Sequence, residues 1–95
     1  MADINVTFCR KLLKRVMDDI KRLTSPAERK AAWVYHFSSG DQWEFHGPDR
    51  FYWHGRADNA YDARAQGWQA WMDRLSSEGA ATRLRLAGER ERAEG

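Results

Sequence analysis

The sequence predicts an α+β domain: an N-terminal amphipathic helix with a short second helix, a three-stranded antiparallel β-meander, and a long C-terminal helix packed on the sheet. Three observations carry this reading. Apolar residues recur at helical spacing through residue 23 and again from about residue 60. Between them, eight of the twelve aromatic residues fall within the 21 positions from Trp33 to Trp53. Two turn-like stretches divide that aromatic segment into three. A chain of 95 residues builds one hydrophobic core. Residues 1–86 are therefore expected to form a single domain and 87–95 a mobile charged tail.

The first helix follows from Val6, Cys9, Leu13, Val16, Ile20 and Leu23, spaced in steps of three and four, with Phe8, Leu12 and Met17 widening the stripe. Ile4 to Phe8 also alternates as a strand would, and helix is the preferred reading there. Ser25 and Glu28 have capping-box spacing with Pro26 at the first helical position, so a short second helix starts at this point. It gives way near Ala32, because Trp33-Val34-Tyr35-His36-Phe37 suits a pleated sheet better than a helix. Gln42–His46 and Phe51–His54 are the other two strands. Gly40 is suited to positive φ, and Pro48-Asp49 to a type I turn.

Four-residue turns would place His36 opposite Trp43 and Trp43 opposite His54. One face then carries Val34, His36, Trp43, Phe45, Tyr52 and His54, and the other Trp33, Tyr35, Phe37, Gln42, Glu44, His46, Phe51 and Trp53. Asp58 is the expected N-cap of the last helix. Small residues (Ala60, Ala63, Gly67, Ala70) form one stripe and Tyr61, Ala65, Trp68, Met72 and Leu75 a second. A mid-helix glycine costs about 1 kcal/mol relative to alanine, so a bulky sheet aromatic is expected against Gly67. Gly79 is the expected stop, with 82–86 a short edge strand or a frayed helical turn.

The net charge is +2, with an excess of Lys and Arg in residues 1–31 and of Asp and Glu in 32–79. No apolar run reaches the roughly 18 residues of a membrane span, and the N-terminal residues lack a signal pattern, which places the chain in the cytoplasm as an expectation. Cys9 is the single cysteine, so an internal disulfide and a cysteine-built zinc cage are excluded. No cofactor motif is found. Three histidines invite a metal reading, but in the expected register His36 and His54 flank Trp43 while His46 lies on the opposite face, so no metal or catalytic residue is assigned. A ribonuclease reading would use His36 and His54 as acid and base, with Arg50 or Arg56 holding phosphate; Trp43 separates the pair.

Two binding readings remain. The element order resembles that of double-stranded-RNA-binding domains, and Arg10, Lys14 and Lys21 on the basic first helix are the candidate nucleic-acid contacts. The acidic middle of the chain argues against phosphate on the sheet. The preferred reading is a non-catalytic protein that docks on a protein partner, which could belong to a nucleoprotein complex, or on a second copy of itself, with Trp33, Trp43, Tyr52 and Trp53 as anchors. From Trp43-Glu44-Phe45-His46-Gly47-Pro48 through Ala60-Tyr61-Asp62-Ala63-Arg64-Ala65, the chain resembles the small single-domain proteins of phages and mobile elements, anti-CRISPR inhibitors among them. That resemblance implies inhibition or regulation without catalysis. Many such inhibitors are strongly acidic mimics of nucleic acid; this chain is not, which implies docking on a protein surface.

Overall fold

The computed structural model describes the backbone of residues 3–37 and 40–94, and side-chain environments for 5–37 and 40–77. In order, α1 spans Asp3–Leu23, α2 Pro26–Ala31, β1 Trp33–His36, β2 Gln42–His46, β3 Tyr52–Arg56 and α3 Ala60–Glu94, with one 3₁₀ turn at Pro48–Arg50. The predicted α+β class and element order are those observed, and residues 4–8 are helical.

On α1 the buried side chains are Cys9, Val16 and Ile20, with Leu12, Leu13 and Met17 half-buried beside them. Phe8 and Leu23 do not join the stripe, remaining 65% and 54% exposed. Phe8 lies about 100° round the helix from Cys9, outside the arc that faces the core. At the junction with α2, Thr24 Oγ1 donates to Ile20 O at 2.7 Å and Arg29 Nη1 donates to Thr24 O at 2.7 Å. The capping box is complete: Glu28 N donates to Ser25 Oγ at 3.2 Å and Ser25 N to Glu28 Oε1 at 2.9 Å.

The sheet has the order β1-β2-β3, antiparallel throughout. The β1–β2 register is the expected one, with His36 opposite Trp43, and Gly40 takes φ 74° in the hairpin. The β2–β3 register differs by one residue: Trp43 faces Gly55 and His46 faces Tyr52. Five residues, 47–51, make the connection instead of four. Gly47 N donates to Phe51 O at 2.9 Å and Phe51 N to Pro48 O at 3.0 Å, while Asp49 and Arg50 take φ 55° and 62°. The expected type I turn is therefore replaced by a 3₁₀ turn whose last two residues are left-handed. Because side chains alternate with a period of two, this single residue exchanges the faces of β3. Trp53 turns towards the helices, and Tyr52 and His54 turn away.

Phe45 is the centre of the core, 1% exposed, packed with Val16 and Ile20 of α1 and Ala65, Trp68 and Trp71 of α3. Gly67 lets α3 approach the sheet: a Cβ there would stand 2.2 Å from Phe45 Cγ. This is the bulky aromatic that Gly67 called for. The N-cap of α3 is Asn59 rather than Asp58, since Asn59 Oδ1 accepts from Asp62 N at 2.9 Å. Asp62 reaches back to Asp58 N at 3.0 Å.

No stop occurs at Gly79, and no strand forms over 82–86; α3 continues to Glu94. Ala80, Ala81, Leu84, Leu86, Ala87 and the intervening Arg and Glu residues are strong helix formers, which outweigh about 1 kcal/mol at each of Gly79 and Gly88. The expected tail 87–95 is thus helical in backbone as far as 94, and its side chains lie outside the described residues. The molecule reaches 64 Å along its longest axis. Among the described residues no helix is long and apolar enough to cross a membrane.

Candidate binding face

With both long helices on one side, the other side of the sheet is left open. Cross-strand pairing arranges its side chains in rows: Trp33, His46 and Tyr52 in one, Tyr35, Glu44 and His54 in the next, and Gln42 with Arg56 beyond. Trp33, Tyr35 and Tyr52 are each about half exposed, at 49%, 50% and 48%. No element among the described residues covers them.

The rings hold one another in place. Trp33 stacks flat on His46 with centroids 3.8 Å apart and planes 5° from parallel. His46 meets the Tyr52 ring at 5.2 Å, and Tyr52 stacks with His54 at 5.7 Å. Glu44, at the middle of the arrangement, accepts a short hydrogen bond from the Tyr52 hydroxyl, and its Oε1 lies 3.6 Å from His46 Nε2. That nitrogen is buried and makes no hydrogen bond. The Glu44 hydrogen bond foremost, then burial, then the carboxylate's charge raise the Tyr52 pKa above its ordinary 10.0, because each favours the neutral phenol.

Of the four predicted anchors, the fold brings Trp33 and Tyr52 together on this face and removes the other two. Trp53 packs against the core on the helix side, and Trp43 is half-buried there, stacked on His36 at 4.3 Å. The expected pairing of His36 with His54 about Trp43 is overturned by the register: His54 shares the open face with His46, and His36 lies on the other, its Nε2 2.9 Å from Gly40 O. Tyr35, Glu44 and His46 were not singled out from sequence. The alternation of Trp33, Tyr35 and of Glu44, His46 along their strands was the signal that places them together.

Arg10, Lys14 and Lys21 are exposed along α1, accompanied by Lys11, Arg15 and Arg22. Arg10 also lies over the Tyr61 ring at 5.6 Å. None of the six forms an ion pair among the described residues. Cys9, Asp58 and Asp62 converge within 4.8 Å at the start of α3. The carboxylates there are engaged structurally, Asp62 with Asp58 N and Asp58 with the Asn5 amide at 3.0 Å.

No family model, curated protein or solved structure matches the chain.

Proposed function

We propose that this is a non-catalytic binding protein that docks on a protein partner through the open sheet face, as a small inhibitor or regulator of the kind phages and mobile elements encode, acting in the cytoplasm. The observation that carries this reading is the cluster of half-exposed Trp33, Tyr35 and Tyr52 on a sheet face that no described element covers. Tryptophan and tyrosine dominate interface energetics because they bury much area at small entropic cost. The Trp33 and Tyr52 rings are already held by stacking on His46 and His54, and Tyr35 meets Phe37 edge-on at 5.4 Å, so docking would freeze few rotamers.

The test is capture of partners from host lysate with the wild-type chain and with Trp33→Ala and Tyr52→Ala, at low and high salt and with nuclease. A specific protein retained at high salt by wild type, and lost by roughly tenfold or more in each variant, supports the reading. Equal retention by the variants rejects this face. A second reading is favoured by the six exposed cations of α1, none of them in an ion pair among the described residues, namely a nucleic acid held by its phosphates. Capture that collapses with nuclease or salt, with the face variants unaffected, would select it.

A further inference from the structure

We infer that the open face receives a cationic side chain, an arginine or lysine presented by the protein partner, with Glu44 as its counter-ion and Trp33, Tyr35 and Tyr52 as its aromatic surround. The inference rests on the docking reading above and names the chemistry of the occupant.

Among the described residues Glu44 is the only carboxylate on the rows of the open face, and it stands at their middle. Any partner that covers the face removes this carboxylate from water, and an uncompensated buried charge is strongly unfavourable. Among the described residues nothing supplies the compensation: Arg56, the cation on these rows, points its Nε to Asp41 at 3.8 Å, and His46 approaches Oε1 without a hydrogen bond. Tyr52 fixes the Oε2 side of the carboxylate, leaving Oε1 to accept. The partner must therefore bring the donor.

An arginine fits best. Its planar guanidinium stacks on aromatic rings while donating to a carboxylate, and desolvated cation–π contacts add to the ion pair. The same charge argues against the other occupants. A phosphate would be repelled. A second copy related by a two-fold axis near the middle of the face would set Glu44 against its own copy, two carboxylates with no cation between them.

The test uses the full chain and two short blocked peptides, glycine-arginine-glycine and the same peptide with uncharged, isosteric citrulline, followed by NMR at the Trp33 indole and the Tyr35 and Tyr52 rings. The arginine peptide is expected to saturate these signals at least about tenfold more tightly than the citrulline peptide. Glu44→Gln, which keeps an acceptor for the Tyr52 hydroxyl and so keeps the fold, is expected to abolish the preference. Equal binding of the two peptides, or an unchanged preference in Glu44→Gln, overturns the inference. In the partner assay, loss with Trp33→Ala but not with Glu44→Gln leaves docking standing and removes the cation. Concentration-dependent self-association abolished by Trp33→Ala would make the occupant a second copy and likewise overturn it.

Discussion

Phe45 and Gly67 are a matched pair, and replacing either exposes how tightly the sheet and α3 meet. Gly67→Ala gains about 1 kcal/mol in helix propensity, yet its methyl would stand 2.2 Å from the ring carbon of a side chain only 1% exposed. Overpacking of this kind costs about 1–3 kcal/mol and more where nothing moves aside. The expected net result is a lower urea midpoint, and an unchanged or higher midpoint would show that α3 shifts freely. Phe45→Ala should cost about 3–5 kcal/mol in the same experiment. On the open face the balance reverses: Trp33→Ala and Tyr52→Ala are expected to lose less than about 1 kcal/mol of stability in the same experiment, while the proposed docking predicts that both weaken partner capture. Tyr52 also carries a pH signature. Its phenol is held above 10.0 in the folded state, so the Glu44 bond contributes fully below pH 10 and is lost as pH rises through the folded pKa. Ultraviolet titration should show one tyrosine ionising late, and Glu44→Gln should bring it earlier.

At the scale of elements, the connection between β2 and β3 decides which aromatics meet solvent. Arg50→Gly, which removes a Cβ from a left-handed residue and keeps the length of the link, should keep the register and add about 1 kcal/mol of stability, read as a higher urea midpoint; a lower midpoint would contradict the left-handed backbone of this link. This link is where sequence reasoning failed, for a physical reason. Asp49 and Arg50 adopt left-handed backbone without glycine, so no residue advertises the extra position. The helices were legible because periodicity and the Ser25–Glu28 box state them locally, and the glycine contact was legible because Gly67 is unfavourable in a helix without a reason. On the candidate face, composition pointed to Trp33 and Tyr52 but equally to Trp43 and Trp53, which the observed register turns to the helix side. Glu44 and His46 could not be named from composition, since their roles arise only when three strands are laid side by side. Gly79 misled as a stop because the residues around it favour helix more strongly than one glycine opposes it. Ser25→Ala should cost about 1 kcal/mol, measured by thermal melting.

As a whole, the molecule is longer than its residue count requires. A compact chain of this size has a radius of gyration near 12 Å by the usual scaling, whereas the Cα radius here is 17.2 Å because α3 runs on to Glu94. Small-angle scattering should return the larger value, and a value near 12 Å would mean that the far part of α3 folds back. Cys9, the single cysteine, sits 3% exposed where α1 meets the start of α3. Its consequence is practical and kinetic. A thiol reagent reaches that sulfur only while the two helices are apart, so at reagent concentrations where labelling outpaces reclosing the rate counts openings one by one. The native chain thus carries its own clock for how often its helical layer comes undone, readable in dilute solution without any residue being changed.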